Sequence, residues 1–560
     1  MVTPTTAQAQ VRDHEDLGLL VVAPAGCGKT EALAVRIAGM LSRGTIAHPQ
    51  RVLVTTFSNR ARDNIRDRLR TYISPGVMRD RVTVSNFHGF SARLFRAHAS
   101  VIGLDSDMIL PEHDWVAEQI RERGLGYEER RAVEDILRVA NQDGVDDSTL
   151  EKHLIARGNG VALDIERQRL AEGRLTYDDL PRMAELILNH DLVADLYRNH
   201  FAAVVVDEFQ DLTPQQLRIV NRVGYGKTTY AGDLAQGIYS FAGAQPEVID
   251  KQVRAECPTV IKFAESHRSS PAVLGMVNAL TGWTGGQTLT CANPDSWPHG
   301  GLAGQATFGT VAAEAAWIVA TARSMLASAP GLRIGVISRT GPRRRFVDDA
   351  FKRSDVLHHR WDDGVLDTET ATILKVMLLG LTMSEFVRSS DQLAYLRVAA
   401  RFEEVHPPTR DSLRDALDWV WDLLRDGLSP DQVRARIRIG DQETLLTAPG
   451  VHLLTGHIGK GQQFDFVIVV GAEEGCIPDW RSENDAAALR EEARIFSVMI
   501  SRARHGLIIL NAQNVPTLAG KVRAKQPSRF LQHFNTSISV YGNGVSNWLN
   551  AASWNDIESR

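Results

Sequence analysis

A segment near the amino terminus combines glycines, a lysine and a threonine at a spacing that suits phosphate chemistry. The segment comprises Ala23, Pro24, Ala25, Gly26, Cys27, Gly28, Lys29 and Thr30. Its glycines allow backbone N–H groups to curl around phosphate oxygens, Lys29 can reach terminal phosphates, and Thr30 can hold Mg²⁺. Ala23 stands where such a loop usually has its first glycine. We therefore predict a phosphate loop that binds ATP with Mg²⁺.

Two adjacent carboxylates form a second chemical group. Asp207 and Glu208 directly follow the apolar run at residues 201–206. Beside the phosphate loop, Asp207 would hold Mg²⁺ through water, and Glu208 would orient and deprotonate the attacking water. A strand that ends in a solvated acidic turn is the alternative interpretation. The phosphate loop earlier in the chain favours the catalytic one.

These residues require a framework that brings them together. The apolar run LGLLVVA at residues 17–23 precedes the loop and EALAVRIAGML follows it, which predicts a strand, a turn and a helix. The run before Asp207 predicts a second buried strand. Because the carboxyl ends of neighbouring parallel strands meet at one edge of a sheet, the sequence predicts an α/β fold with the site at that edge.

The composition is that of a large globular protein. The chain has 560 residues, 43% hydrophobic and 23% charged, and this length indicates roughly three to four domains. Lys and Arg number 63 against 68 Asp and Glu, a net charge of −5, so any nucleic-acid surface must be local. The four cysteines lack a Cys-x-x-Cys pair, and no apolar run reaches about 18 residues. We expect a reduced cytoplasmic compartment and no membrane association.

Further motifs follow in an order that resembles the UvrD/Rep/PcrA-like helicases of superfamily 1. The matching segments are Gln8, TTFSN at 55–59, NFHGF at 86–90, YDDL at 177–180, DEFQD at 207–211, GDLAQGIYSFAGA at 232–244, SHRS at 266–269, KGQQFD at 460–465, EEAR at 491–494, SRAR at 501–504 and PSRFL at 527–531. The ordered set is specific, although no single motif is. It frames nearly the whole chain and leaves two long stretches unmatched.

The resemblance implies two RecA-like parallel-sheet motor domains of the P-loop NTPase class with mainly helical insertions. The implied organisation is a first motor domain at 1–97 and 176–244, a helical insertion at 98–175, a second motor domain at 245–345 and 446–535, a reduced helical insertion at 346–445 and a C-terminal tail at 536–560. The tail could be disordered, dock a partner through Trp548 and Trp554, or pack on the motor.

The resemblance also implies that ATP lies between the two motor domains. Arg268 and Arg502 would reach the γ-phosphate from the second domain and stabilise charge in the transition state, while Gln236 would sense the γ-phosphate. For either arginine alone, a surface or ion-paired role is the alternative. The implied catalytic residues are Lys29, Asp207, Glu208, Gln236, Arg268 and Arg502.

The nucleotide contacts implied by the resemblance extend beyond the phosphate loop. Gln8 resembles the adenine-reading glutamine of the family, with Gln10 as a nearby competitor. His267 stands where the family has a tyrosine that stacks on adenine, and Gln463 replaces a glutamate near the ribose. The implied Mg²⁺ ligands are Thr30 and Asp207.

A strand-binding face is implied by aromatic and amide residues of the motifs that face away from ATP. These residues are Phe57, Asn59, His88, Tyr239, Phe241 and His457. Because an aromatic residue beside a strand end is more often part of a core, we weight Phe241 and His88 above Phe57 and Phe87. The arginine-rich helix after Asn59 and the arginine run at 343–345 each remain open between strand contact and a solvated charged surface.

The function implied by the resemblance is that of an ATP-dependent DNA helicase or translocase with 3′ to 5′ polarity in DNA repair or recombination. Its partners would be single-stranded and tailed duplex DNA. Ala242 and Ser497 replace an arginine and a tyrosine of the family, which predicts weaker DNA affinity. The short second insertion and Gln463 motivate an alternative, a nucleotide-switched DNA-sensing subunit of a repair or antiphage-defence complex with a separate nuclease and weak intrinsic unwinding. An unrelated kinase or GTPase would not explain the later motifs.

Overall fold

The structure, a computed structural model, describes residues 4–57, 59–109, 115–360, 365–366, 368–389, 391–402, 413, 416–417, 420–421, 423–425, 428–439, 448–457, 460–517 and 520–559. The chain divides into two compact units. The first comprises Met1–Asn86, Tyr197–Trp361 and Leu445–Arg560, and the second comprises Phe87–Leu196 and Asp362–Thr444.

Where the structure describes the chain, its strands belong to two large sheets and two small ones. In chain order they are β1 (Leu19–Val22), β2 (Arg51–Thr56), β3 (Val82–Asn86), β4 (Phe201–Asp207), β5 (Thr228–Gly232), β6 (Val260–Lys262), β7 (Glu265–Ser266), β8 (Thr290–Cys291), β9 (Leu302–Thr310), β10 (Arg333–Ser338), β11 (His358–Arg360), β12 (Val365–Leu366), β13 (Arg438–Ile439), β14 (Gly450–Thr455), β15 (Phe464–Val470), β16 (Ala503–Pro516), β17 (Val522–Ala524) and β18 (Val540–Tyr541). The small sheets are the parallel pairs β7 with β8 and β12 with β13.

The first large sheet has six parallel strands in the order β3-β2-β4-β5-β1-β6. β1 and β4 are the strands predicted from the two apolar runs, and β5 lies between them. The registers Val22↔Gly232 and Asp207↔Ala231 bring the carboxyl ends of β1 and β4 to the same edge. β6 pairs with β1, so the first sheet continues past the predicted domain boundary at residue 244.

Six helices of the described residues accompany the first sheet. They are Thr6–Asp13, Lys29–Ser42, Asn59–Leu69, Pro75–Arg81, Pro214–Gly224 and Pro246–Glu256, and the short 3₁₀ helices Phe209–Asp211, Leu234–Gln236 and Ser240–Ala242 follow β4 and β5. Val21 and Val205 of the sheet share one buried core with Leu33 and Ile37 of the helix that begins at Lys29. This packing fixes the amino end of that helix beside the carboxyl ends of β1 and β4.

The second large sheet has the order β11-β14-β10-β15-β16-β9-β18, with β17 antiparallel to β16 and all other pairings parallel. Successive residues of β15 enter opposite cores. Val467 and Val469 pack with Ile495 on one face, whereas Ile468 and Val470 pack with Ile318 on the other. A strand that is buried on both faces must be apolar throughout, which explains the continuous run FVIVV at residues 466–470.

The helices that accompany the second sheet include two near the C-terminus, in the segment 536–560 whose state the sequence did not decide. The helices are Pro271–Asn278, Thr281–Thr284, Val311–Ser328, Gly341–Lys352, Ala486–Ile500, Asn543–Ala551 and Trp554–Glu558, with 3₁₀ helices Pro294–Ser296, Pro298–Gly300, Trp480–Ser482 and Arg529–Phe534. β18 pairs with β9, and Val545, Leu549 and Ile557 are buried in the core of the sheet. The predicted tail at 536–560 therefore packs on the second sheet through its described residues.

The second unit is mainly helical, as predicted for the insertions. Its helices are Phe87–His98, Trp115–Glu122, Tyr127–Asn141, Asp147–Ala156, Gly160–Ala171, Asp179–Leu188, Thr368–Gly380, Met383–Arg388, Gln392–Ala399 and Pro430–Arg436, with the 3₁₀ helix Ala99–Ile102; the helix Asp191–His200 begins in this unit. The helices that begin at Phe87 and Asp179 pack against each other. For this reason the unit extends beyond the predicted insertion at 98–175 on both sides.

Candidate active site

The phosphate loop links β1 to the helix Lys29–Ser42 and depends on two glycines. Gly26 and Gly28 have φ values of +85° and +83°, in the left-handed region that favours glycine. A Cβ atom at Gly26 would lie 2.5 Å from Cβ of Arg268, and one at Gly28 would lie 2.6 Å from Nε2 of Gln8. The helix then begins at Lys29, so its unpaired N–H groups and positive dipole end face the loop.

Cys27 and Ala23 support the loop from beneath. Both side chains are almost fully buried and belong to the core of the first sheet. Burial raises the pKa of the Cys27 thiol to about 12, so Cys27 is neutral at physiological pH. The alanine at position 23 is thus accommodated as a core residue.

Lys29 forms ion pairs with both predicted carboxylates. Its Nζ lies 2.9 Å from Oδ1 of Asp207 and also contacts the carboxylate of Glu208. Burial by itself would lower the pKa of Lys29, but the two carboxylates raise it above its ordinary value. Burial would raise the pKa of Glu208, yet the charges of Lys29 and Lys460 bring it down to about 2. The site therefore holds a charged ammonium group and an ionised Glu208.

Gln210 holds Glu208 in place. Gln210 is fully buried; its Nε2 donates to Oε2 of Glu208 at 2.7 Å, and its Oε1 accepts from the backbone N–H of Asp233 at 3.0 Å. Glu208 has φ = 57°, an uncommon conformation for a residue with a side chain. Gln210 belongs to the DEFQD motif, but the sequence alone did not predict a role for it. The signal was its position two residues after Glu208.

Gln236 lies on the loop that follows β5. Its Nε2 donates to Oδ2 of Asp233 at 3.1 Å, and Asp233 also caps the 3₁₀ helix through the N–H of Ala235. Burial raises the pKa of Asp233. Gln210 and Asp233 therefore connect the Gln236 loop to the Glu208 loop.

Two arginines carry positive charge into the site. Nη1 of Arg268 is buried without a hydrogen-bond partner, and the adjacent His267 N–H donates to the Gly26 carbonyl at 3.1 Å. Arg502 is 2% exposed, and its guanidinium donates to the Val498 carbonyl and to Oγ of Ser501. Burial lowers the pKa of Arg268 to about 10 and that of Arg502 to about 9. Buried cations that lack an ion pair with any described carboxylate suit an anionic ligand.

The structure separates the two candidate glutamines. Gln8 is buried and its Nε2 lies 3.4 Å from the Gly28 carbonyl of the phosphate loop, whereas Gln10 is exposed. His267 lies beside the loop but its side chain is exposed, and Gln463 is also exposed. Gln8 is therefore the glutamine that contacts the loop.

Four of the predicted strand-binding residues form a continuous aromatic row in the first unit. Phe57 stacks on Tyr239 with ring centroids 4.9 Å apart, Tyr239 contacts Phe241 at 5.8 Å, and Phe241 contacts His457 at 5.2 Å. Phe241 is 62% exposed and Phe57 is 39% exposed. Burial, followed by the charges of Arg339 and Lys460, lowers the pKa of His457 to about 4, so the row ends in a neutral ring.

His88 and Phe87 do not belong to this row. His88 lies in the second unit and stacks on Tyr177 with a centroid distance of 3.7 Å. Phe87 is 4% exposed and is a core residue, as expected for an aromatic beside a strand end. The side chain of Asn59 lies outside the described residues.

Lys460 connects the aromatic row to the loops that carry Asp211 and Gln236, a contact that the sequence analysis did not predict. Its Nζ donates to both carboxylate oxygens of Asp211 at 2.6 and 2.8 Å and to the Gln236 carbonyl at 2.8 Å. The same Nζ lies 4.6 Å from the ring centroid of Tyr239. Lys460 begins the KGQQFD motif, so the motif marked the position, but its partners are more than 200 residues distant in sequence.

The two arginine-rich segments have mainly structural contacts. In the helix Asn59–Leu69 and just beyond it, ion pairs join Arg62 with Asp63, Arg66 with Asp63, Arg68 with Glu31 and Arg70 with Asp67. In the run at 343–345, Arg343 is buried against Glu314 and Glu473, and Arg344 is buried against Asp348. Arg343 and Arg344 are therefore neither strand contacts nor part of a solvated charged surface.

Comparisons with known proteins agree with this geometry. The family model described as the UvrD/REP helicase N-terminal domain matches residues 4–255, and the model of the UvrD-like helicase C-terminal domain matches residues 432–514. The ATP-dependent DNA helicase UvrD2 of Mycobacterium tuberculosis is 27% identical, covering 91% of this chain and 78% of the relative. DNA helicase II of Escherichia coli is 25% identical, covering 92% and 85%, and the ATP-dependent DNA helicase PcrA of Bacillus subtilis is 21% identical, covering 92% and 83%.

Among the described residues, no helix is long and apolar enough to cross a membrane.

Proposed function

The chain belongs to the UvrD/REP helicase family, and from this premise we propose that it is an ATP-driven motor that moves along single-stranded DNA and separates duplex DNA. One observation carries the proposal. Lys460 contacts Asp211 beside the catalytic carboxylates, the Gln236 loop and the aromatic row at once. A single side chain thus joins the groups suited to hydrolysis to the groups suited to base stacking.

The residues of the loop fit a magnesium nucleotide. Lys29 is tied to Asp207 and Glu208, and the positive helix end and the unpartnered Nη1 of Arg268 face the same loop. The Thr30 hydroxyl and the Asp207 carboxylate are oxygen donors of the kind that Mg²⁺ prefers together with phosphate oxygens. Mg²⁺ at these two residues would neutralise phosphate charge.

Hydrolysis would use the carboxylate that Gln210 holds. Glu208 is ionised, so it can accept a hydrogen bond from the attacking water and take up its proton. When Lys29 turns from Glu208 to the phosphates of ATP, the carboxylate loses its strongest attraction and becomes a better base. Arg268 and Arg502 would stabilise negative charge on the γ-phosphate, and Gln236 would detect that phosphate.

The aromatic row suits single-stranded DNA. Bases stack on aromatic faces regardless of sequence, and the exposed rings of Phe57 and Phe241 leave such faces accessible. Because the net charge is −5, DNA binding depends on this local surface rather than on a global basic field. His88 in the second unit and Asn59 remain proposed contacts.

The direction of movement and the biological role are the finer parts of the proposal. We take the polarity as 3′ to 5′ and the role as DNA repair or recombination, on the strength of the family resemblance. The relatives are named as DNA helicases, which supports DNA as the substrate.

The test combines hydrolysis with strand displacement. ATP hydrolysis would be measured with and without single-stranded DNA, and displacement on matched duplexes with a 3′ or a 5′ tail, with Glu208→Gln as the inactive control. DNA-stimulated hydrolysis with displacement of the 3′-tailed duplex, and not of the 5′-tailed one, supports the motor, its intrinsic unwinding and its polarity. Stimulation without displacement retains the motor and refutes intrinsic unwinding. Absence of DNA stimulation refutes the motor and favours a nucleotide-switched subunit.

A further inference from the structure

Arg36 is a fully buried cation in the helix Lys29–Ser42, seven residues after the phosphate-loop lysine. Its guanidinium donates to three backbone carbonyls, those of Val11 at 3.3 Å, His14 and Asp16. Burial, reinforced by the charge of Arg43, lowers the pKa of Arg36 to about 10, so Arg36 remains charged at neutral pH. A buried guanidinium is costly unless its donors are satisfied, and here carbonyl dipoles provide most of that satisfaction.

The three carbonyls belong to one short stretch of chain. Val11 lies in the last turn of the helix Thr6–Asp13, and His14 and Asp16 lie in the connection to β1. The last carbonyls of a helix lack partners within it and carry the negative end of the helix dipole, so a cation stabilises them. A helix of eight residues has little stability alone, and its position depends on such contacts.

The other end of the same helix carries Gln8. Thr5 and Gln8 form a reciprocal capping box, in which Oε1 of Gln8 accepts from the Thr5 N–H at 2.9 Å. Nε2 of Gln8 is thereby turned towards the Gly28 carbonyl of the phosphate loop. The side chain of Gln8 is locked to its helix, and the helix is anchored at its far end by Arg36. A displacement of that anchor would move the amide of Gln8 relative to the phosphate loop.

We propose that Arg36 is a positioning residue for recognition of the nucleobase, which rests on the proposed function of this site as an ATPase. A carboxamide can accept from the 6-amino group of adenine and donate to N7, whereas the 6-oxo group of guanine presents an acceptor to the same oxygen. Discrimination between the two bases therefore requires the amide to be held at a fixed position. Arg36 supplies this through the helix and does not itself touch the nucleotide.

The residues predicted to surround the base make the position held by Arg36 important for base selectivity. His267, the other residue predicted to contact the base, has an exposed side chain. Phosphate contacts from Lys29 and Arg268 are the same for every nucleoside triphosphate. Selectivity among bases therefore depends strongly on Gln8, and through Gln8 on Arg36.

The test compares ATP with GTP in Arg36→Met, Arg36→Lys and wild type, with single-stranded DNA at saturation. We expect Arg36→Met to lower the ratio of kcat/KM for ATP to kcat/KM for GTP about 10-fold, mainly by raising KM for ATP, with kcat for both nucleotides changed less than about twofold. Arg36→Lys keeps the positive charge and should restore part of the ratio. Arg79→Met is the matched control, because the side chain of Arg79 is 81% exposed and pairs with Asp80 rather than with the helix Thr6–Asp13; the ratio in Arg79→Met should match that of wild type.

A double mutant separates this role from a general effect on folding. Gln8→Ala should lower the same ratio, and adding Arg36→Met to it should lower the ratio no further, because both act through one contact. If Arg36→Met reduces kcat equally for both nucleotides and leaves the ratio intact, Arg36 is only a core residue and the proposal fails. If Arg36→Met does not fold, Arg36→Lys replaces it in the test. The ratio of kcat/KM for ATP to that for GTP would then be measured in Arg36→Lys, together with its affinities for fluorescent ADP and GDP at equilibrium.

The same experiment keeps the two proposals apart. A wild-type protein without DNA-stimulated hydrolysis contradicts the proposed function. A wild-type protein that hydrolyses ATP and GTP with equal efficiency retains the motor and contradicts base recognition by Gln8, and with it the role of Arg36.

Discussion

The Nζ of Lys460 lies 2.6 Å from a carboxylate oxygen of Asp211, three residues after the proposed catalytic base Glu208. Lys460 enters the site from the segment between β14 and β15 of the second sheet, whereas Asp211 follows β4 of the first. The pair is therefore a direct contact between elements that belong to the two sheets. A movement of one sheet relative to the other that separates these segments would break the pair.

This contact predicts that Lys460 couples DNA binding to hydrolysis. Lys460→Met keeps the aliphatic stem against Tyr239 but removes the charge that pairs with Asp211. We expect the DNA-stimulated rate to fall about 10-fold, with the basal rate within about threefold of wild type, as for coupling energies of about 0.5–2 kcal/mol. The measurement is steady-state ATP hydrolysis over a titration of single-stranded DNA.

A matched lysine variant controls for loss of charge alone. Lys251 is exposed on the helix Pro246–Glu256, and Lys251→Met should leave both rates unchanged. An equal loss of basal and stimulated rates in Lys460→Met would show that Lys460 acts in hydrolysis itself rather than in coupling.

The same pair predicts a pH dependence. Burial raises the pKa of Asp211 to about 6, although Lys460 opposes this. As the pH falls through about 6, Asp211 takes up a proton and the pair with Lys460 is lost. The ratio of stimulated to basal hydrolysis should therefore fall below pH 6. In Asp211→Asn the ratio should be low and independent of pH, and a pH-dependent ratio in that variant would assign the titration to another group.

The pH dependence of folding stability has the opposite sign to the pH dependence of DNA-stimulated hydrolysis. An unfolded Asp titrates near about 3.9, so the folded state holds the proton more tightly over the interval up to about 6. The contribution of Asp211 to the free energy of unfolding is thus largest below about pH 4 and declines as the pH rises through 6. Urea unfolding of wild type and Asp211→Asn across this range would measure the difference.

Phe241 and Phe87 both belong to motifs of the family, but substitution of the two residues should have different effects on DNA binding and on stability. Phe241 is 62% exposed at the aromatic row, whereas Phe87 is 4% exposed at the end of β3. Phe241→Ala should raise the Kd for single-stranded DNA about 10-fold, since stacking contributes ~1–3 kcal/mol per base, and should leave the melting temperature nearly unchanged. The measurement is fluorescence anisotropy with a labelled oligonucleotide.

Phe87→Ala provides the contrasting case. Truncation of a buried phenylalanine should lower the free energy of unfolding by about 3–5 kcal/mol. If Phe241→Ala destabilises the fold to a similar extent and Phe87→Ala weakens DNA binding alone, the assignment of surface and core at these positions is reversed.

Local sequence patterns were sufficient for the centre of the fold. The apolar runs before Gly26 and Asp207 predicted β1 and β4, because both strands are buried and therefore continuously apolar. Parallel pairing of both strands with β5 then brings Lys29 to Asp207. A site at the carboxyl ends of two strands of one parallel sheet can be predicted from the sequence, because all parallel strands of a sheet end at the same edge.

Distant partners explain what the sequence left open. Arg343 is buried because Glu314 and Glu473 lie 29 and 130 residues away and neutralise it, and a run of three arginines contains no trace of them. Lys460 is a similar case, with partners in loops of the first sheet. β6 continues the first sheet beyond residue 244. The sequence did not predict this, because the pairing of β6 with β1 depends on register rather than on local composition. The exposures of Phe57 and Phe87 likewise follow from what packs on them.

Gln210 carries the last prediction, because it acts on hydrolysis through Glu208. Gln210→Leu conserves volume but removes the donor to Oε2 of Glu208 and the acceptor for the Asp233 N–H. Loss of a donor should raise the pKa of Glu208 and leave its carboxylate less well oriented. We expect kcat to fall about 10-fold with KM for ATP nearly unchanged, while Glu208→Gln loses about 10²–10⁴-fold and still binds ATP. In the double variant the loss should equal that of Glu208→Gln alone, since Gln210 has no carboxylate left to hold. A further loss there would mean that Gln210 contacts water or phosphate directly.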